Sequence, residues 1–138
     1  SMMTNAMELS FNGQEVTPTL NKLASEGMFF NNFYSQVSVG TSSDSELTFN
    51  TSLMPTKSGT AFVSYSDRYY IGIPTLMREK GYYAFSMHAN NADFWNRRVM
   101  HNNLGYERFY AKADYEVSKE NVIGLGLSDK EFFAQSIP

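Results

Sequence analysis

Apolar positions recur at two spacings along this chain, and the switches between them mark the elements. Thr17-Pro18 opens a predicted helix, with Leu20, Leu23 and Ala24 along one face and Gly27 at its end. Met28 to Tyr34 follows as an aromatic-rich run of the kind that favours a strand. The stretch from Ser38 to Ser45 is small and polar around Gly40, a loop by composition, and it leads into Glu46-Leu47-Thr48-Phe49-Asn50, which opens a helix ended near Pro55. Helix then glycine then strand occurs again: Pro74 to Lys80 is predicted helical, Gly81 closes it, and Tyr82 to His88 forms a strand with a polar tip. Asp93 to Met100 runs at helical spacing towards Gly105, Glu107 to Tyr110 makes a short strand, and Ser128-Asp129-Lys130-Glu131 has the form of a capping box. Alternating helices and strands imply an α/β fold with a largely parallel sheet, whose strand ends are where such folds place ligands. On this pattern Met28–Tyr34 and Tyr82–Met87 are expected to be buried, parallel strands of one sheet, with Leu20, Leu23 and Leu76 packed on it.

Composition narrows the partners. The chain has 138 residues, 42% of them hydrophobic, with 11 Phe, 9 Tyr and 1 Trp, which excludes collagenous and disordered readings. There is no cysteine, so disulfide scaffolds and thiolate metal sites are excluded. With 11 basic against 14 acidic side chains and a net charge of −3, the broad basic face of a nucleic-acid binder is missing, and nucleic acid is not an expected partner.

Two constellations could carry chemistry. Gly40-Thr41-Ser42-Ser43-Asp44-Ser45-Glu46 puts hydroxyls at a helix N-terminus, where free N–H groups and the helix dipole favour an anion. The same residues also suit a plain helix cap or solvated loop. His88, at a strand end, is followed by Trp95, Asn96 and Arg97 just inside the next helix. An arginine fork takes two phosphate oxygens, a histidine donates to a third or moves a proton, and an indole shields the site. Taken singly, each also suits a core Trp, a salt-bridged Arg or a hydrogen-bonded His. His101 has no such company and is read as a surface residue.

These residues carry a resemblance. Thr17 to Gly27 followed by Phe29 to Tyr34 is similar to the opening signature of the sulfatase and alkaline-phosphatase-like superfamily, and Pro74 to Tyr82 resembles its next helix-to-strand unit. Gly40 to Glu46, together with His88 seven positions before Trp95 in Phe94-Trp95-Asn96-Arg97, resembles the lipoteichoic acid synthase-like phosphoglycerol transferases within it.

The resemblance implies an alkaline-phosphatase/sulfatase-like parallel sheet flanked by helices, with residues 1–138 as the N-terminal part of a catalytic domain and 1–11 as a lead-in. It places Ser42 at the nucleophile and metal-ligand position, with Thr41 as the alternative nucleophile, and His88, Trp95 and Arg97 at positions that contact glycerol phosphate. It implies a divalent metal, manganese or magnesium, in the intact enzyme. None is expected in this piece, since the family's other ligands fall upstream of it and beyond Pro138. The implied partners are a phosphatidylglycerol-type lipid headgroup and a glycerophosphate polymer, at the extracellular face of the cell membrane through segments outside this chain. Other superfamily phosphoryl or sulfuryl enzymes, or a non-catalytic glycerophosphate-binding module, are the competing readings. Gly40–Ser43, His88 and Arg97 should meet at one sheet edge.

Overall fold

The computed structural model describes residues 4–137. The chain divides at Ser35 into two compact units. In the first, a 3-10 turn (Thr4–Ala6) precedes a two-stranded antiparallel ribbon of β1 (Ser10–Phe11) and β2 (Gln14–Glu15), so the lead-in carries short elements of its own. Helix α1 (Pro18–Glu26) starts with proline in its first turn and ends at Gly27, whose N–H reaches the Leu23 carbonyl.

The second unit holds α2 (Ser42–Thr51), α3 (Ala61–Ser64), α4 (Ile73–Glu79), β3 (Phe85–Met87), a 3-10 turn (Phe94–Asn96), α5 (Arg97–Asn103) and β4 (Arg108–Tyr110). A 3-10 turn (Lys112–Asp114), the antiparallel pair β5 (Val122–Ile123) and β6 (Gly126–Leu127), and α6 (Asp129–Ser136) complete it. Strands β3 and β4 are parallel, pairing Phe85 with Arg108, Ser86 with Phe109 and Met87 with Tyr110. Two parallel strands need a crossover, and α5 supplies it. The N–H of His88 continues the ladder to the Tyr110 carbonyl at 2.9 Å, which fixes where the histidine leaves the sheet.

The core sits under α2, α3 and α5: Leu47, Ala61, Phe62, Met100 and Leu104 are buried together, with Tyr70 and Tyr106 packed at the margin. Gly105, at φ 95°, lies where a Cβ would meet the Thr75 backbone N at 3.1 Å, so the turn into β4 depends on glycine there.

Three expectations are corrected. Met28–Tyr34 is not a strand but an extended and turn segment, with Met28 88% and Phe33 83% exposed. No strand among the described residues pairs with it, and aromatic β-propensity expresses packing on a paired sheet, not a backbone preference. The parallel partner of the Tyr82–Met87 region is instead Arg108–Tyr110, and regular pairing begins only at Phe85. Leu20, Leu23 and Leu76 are exposed and not packed on a sheet. Of the other expected elements, α2 starts at Ser42, four residues before Glu46, and the helix expected from Asp93 begins at Arg97, so Trp95 lies in the kink before it and not inside the helix; α3 and the β1–β2 and β5–β6 pairs were not expected. Ser128 caps α6 by accepting from the Glu131 N–H at 3.3 Å.

Candidate active site

The loop before α2 is shaped by one carboxylate. Asp44 is fully buried and accepts hydrogen bonds from the N–H groups of Ser38 (2.9 Å) and Gly40 (3.0 Å) and from the Thr60 hydroxyl (3.4 Å). The Ser43 hydroxyl donates to the Gly40 carbonyl at 2.8 Å and meets Thr60 Oγ1 at 2.9 Å. Any Cβ on Gly40 would fall on the Asp44 carboxylate and 2.5 Å from Thr60 Oγ1, so this close approach requires glycine. The packing drives Thr41 to φ 44°, ψ −103°, a conformation that costs a β-branched residue energy and concentrates at functional sites.

That turn sets Ser42, exposed, as the first residue of α2. Its hydroxyl and its N–H have no hydrogen-bond partner among the described residues, and the same holds for the Asp44 N–H. An uncommitted hydroxyl beside unpaired N–H groups at the positive end of a ten-residue helix is a place where a phosphoryl group could be held and attacked. Thr41, also exposed, is the neighbouring hydroxyl.

One turn along α2, Glu46 receives Arg97. The Arg97 Nε–H lies 2.9 and 3.0 Å from the two carboxylate oxygens, Nη2 lies 2.5 Å from Oε1, and Nη1 donates to the Phe94 carbonyl at 3.1 Å. Arg97 is 1% exposed. The second N–H on each terminal nitrogen has no partner among the described residues. His101 Nε2 approaches Glu46 Oε2 at 2.9 Å from the other side. Burial pushes the Glu46 carboxyl up, but the hydrogen bonds from His101 and Arg97 and their charges outweigh it and hold the group below its ordinary value.

His101 is therefore no surface residue: it is 6% exposed, with Nδ1 2.7 Å from the Ser86 hydroxyl and rings of Phe62, Tyr106 and Phe109 around it. The sequence signal that finds it is its place four residues after Arg97, on the same helix face. Glu46, quoted in the motif only to fix its register, turns out to be the hub of the cluster.

His88 leaves β3 at the rim of an open groove of about 590 Å³ that Glu46, His101, Ser86 and Phe49 also line. Its Nδ1 accepts from the Asn90 N–H at 3.1 Å, so in the neutral ring the proton sits on Nε2. Burial first, and then the Arg97 charge, lower its pKa, against a smaller opposing pull from Glu46. Trp95 is half-buried beside Phe94, with rings 6.0 Å apart, and both Trp95 (φ 57°) and Asn96 (φ 56°) lie in the left-handed region. The Asn96 side chain donates to the Phe62 carbonyl at 2.7 Å, which pins this kink where it delivers Arg97 to Glu46. Glu46 thus ties the second turn of α2 to Arg97 and His101 on α5 and, through His101, to Ser86 on β3; of the site residues expected from the sequence, His88 lines the groove, and Ser42, Trp95 and Arg97 are not among its lining.

A divalent metal does not fit the described residues as they stand. Among them no group of three or more His, Asp or Glu side chains is placed to hold an ion. Asp44 is filled by N–H and hydroxyl donors and Glu46 by Arg97 and His101, which leaves the Ser42 and Thr41 hydroxyls as the open oxygens at the start of α2.

The chain matches the sulfatase family over residues 1–137. It is 39% identical over 142 residues to lipoteichoic acid synthase 1 of Bacillus subtilis (strain 168), across 100% of this chain and 22% of that protein. Against the lipoteichoic acid synthase of Staphylococcus aureus (strain USA300) it is 39% identical over 140 residues, covering 99% of this chain and 22% of that protein. The chain therefore spans 22% of the length of these curated relatives. The crystal structure of the lipoteichoic acid synthase LtaP from Listeria monocytogenes superposes with a TM-score of 0.93 at 32% identity, over 100% of this chain and 33% of that one. A protein in the alkaline phosphatase superfamily from Vibrio parahaemolyticus shares the fold, with a TM-score of 0.73 at 22% identity over 86% of this chain and 29% of that one. An α/β unit with a parallel strand pair, a hydroxyl at the start of α2 and a match along the whole of its described length leave one conclusion: the chain belongs to the sulfatase family.

Proposed function

We propose that this chain is the N-terminal part of the catalytic domain of a phosphoglycerol transferase of the lipoteichoic acid synthase type. Its substrates would be a phosphatidylglycerol-type lipid and the end of a glycerophosphate polymer, at the extracellular face of the cell membrane. The observation that carries the reading is Ser42: an exposed hydroxyl without a partner among the described residues, first in its helix, behind a strained Thr41. The names of the relatives and the superposition with LtaP support it. No helix among the described residues is long and apolar enough to cross a membrane, so attachment would come from other segments.

In this reading the Ser42 oxygen forms a bond to phosphorus, the bond from phosphorus to the diacylglycerol oxygen breaks, and diacylglycerol leaves with a proton. A terminal glycerol hydroxyl then takes the phosphoryl group and Ser42 is restored. The free N–H groups at the start of α2 face the developing charge, and His88, with Nε2–H available, serves as donor to the glycerol phosphate. Trp95, half-buried two residues before Arg97, is assigned to the glycerol phosphate by the family resemblance. Arg97 would reach a phosphoryl oxygen through its two uncommitted N–H groups, which requires the Glu46 or Phe94 side to yield because the side chain is only 2% exposed. Manganese or magnesium in the intact protein rests on the family resemblance, with Ser42 as this chain's contribution.

The test is headgroup transfer from phosphatidylglycerol by the full-length protein, with mass spectrometry of the trapped adduct. Ser42→Ala should abolish both and Thr41→Ala should leave the adduct on Ser42. An adduct on Thr41 would move the nucleophile by one residue. Turnover of phosphatidylethanolamine but not phosphatidylglycerol would reassign the enzyme within the family, and glycerophosphate binding without any turnover would make it a binding module.

A further inference from the structure

One carboxylate ties three elements together beneath the proposed reaction centre. Glu46 on α2 holds Arg97 and His101 on α5, and His101 passes the connection to Ser86 on β3. Since a carboxylate only accepts, Nε2 of His101 carries a proton and donates to Glu46; in the neutral ring Nδ1 then accepts from the Ser86 hydroxyl. The ring has little freedom, lying 4.4 Å from Phe109, 5.5 Å from Tyr106 and 6.2 Å from Phe62 by ring centroids. The register is the informative part. Ser42 precedes Glu46 by one helical turn on the same face, and His88 follows Ser86 by two residues on the same side of the strand. The network therefore lies one step beneath each of the two groups, and nothing in the proposed reaction consumes His101.

We infer that His101 is a positioning residue: by holding Glu46 on one nitrogen and Ser86 on the other, it sets the separation of Ser42 from His88. The inference rests on the reading of Ser42 as nucleophile and His88 as phosphate donor. Misplacement by about an ångström at a reacting centre costs on the order of 100-fold in rate. In the full-length protein His101→Leu, which keeps bulk but neither bond, should lower kcat by about that factor and leave KM within about threefold, because the loss falls on alignment and not on ground-state contacts. His101→Gln, whose amide N–H can still reach Glu46, should recover most of the rate. A second readout needs no turnover: in protein labelled with 15N-arginine, the Arg97 Nε–H signal, assigned by its loss in Arg97→Lys, should exchange slowly in the unsubstituted protein and in His101→Gln but broaden in His101→Leu.

Equal kcat and an unchanged Arg97 signal in His101→Leu and His101→Gln would overturn the inference. So would tighter inorganic phosphate binding by Glu46→Gln, which would make Glu46 a competitor for the anion and not a tether. If His101→Leu does not fold, Ser86→Ala carries the test: it frees Nδ1 alone and should lower kcat several-fold with an unchanged melting temperature, and wild-type kcat there would refute the tether. Absence of transfer from phosphatidylglycerol with the arginine signal behaving as expected would instead refute the substrate reading and leave the positioning role standing.

Discussion

Glu46 and His88 titrate in opposite electrostatic settings, yet both make acid costly to the fold. Glu46 is held below its ordinary 4.5 by His101 and Arg97 in spite of burial, so its share of stability is complete above that value and is lost as pH falls through the depressed folded value. His88 is depressed below 6.5 by burial and then by Arg97; the unfolded chain takes up its proton first, and stability falls as pH drops from 6.5 towards the folded value. Urea midpoints measured against pH should therefore decline in two steps below neutrality, the upper one removed in His88→Asn and the lower in Glu46→Gln. A flat profile between 6.5 and 4.5 in the unsubstituted protein would contradict the placement of His88. Asn96 is a second residue whose role can be separated into parts. Asn96→Gly keeps the left-handed turn and loses the bond to Phe62, at about 1 kcal/mol, whereas Asn96→Ala adds about 1–2 kcal/mol of backbone strain. Denaturant titration should rank the two in that order.

At the scale of elements, the start of α2 is held by side chains of its own first turn together with Thr60. Its N-cap, Thr41, makes no side-chain cap, and the work falls to Asp44, Ser43 and Thr60, which bind the loop from within. Thr60 at the same time caps α3 through the Phe62 N–H, so one hydroxyl serves two helix starts. Gly40→Ala should thus be felt as overpacking, about 1–3 kcal/mol, and should lower turnover through Ser42 more than it lowers the melting temperature. Measuring both in the same preparation checks it: full activity with a lowered melting temperature would show that the loop tolerates the shift without moving Ser42.

At the scale of the whole molecule, burial is concentrated and scarce. Five side chains, Leu47, Ala61, Phe62, Met100 and Leu104, form the core cluster of the second unit, while many large apolar groups remain exposed. Phe62, fully buried, should cost about 3–5 kcal/mol on truncation to alanine, and Tyr69, 84% exposed, within about 0.5 kcal/mol of nothing. Thermal unfolding of Phe62→Ala and Tyr69→Ala distinguishes a core of this extent from one that reaches the Tyr69 loop.

What the sequence determined by itself was local. Proline in the first turn of α1 and α4, the Ser128 cap at α6 and the polar loop before α2 act within a few residues, so these helices could be placed from spacing and caps. The motif residues from Gly40 to Glu46 and from His88 to Arg97 were legible for the same reason, and they pointed to the family. Strands were less so: the aromatic run Met28–Tyr34 has strand composition, but a strand exists only through its partner, and β3 found Arg108–Tyr110 instead. His101 shows the limit most clearly. Its spacing of four from Arg97 sets the two on one helix face, but that spacing does not say what covers the face; bonds that join residues 51 and 55 positions apart in the chain made His101 the link between Glu46 and Ser86. Hydrogen bonds across such distances depend on the closure of the core, which no local pattern encodes.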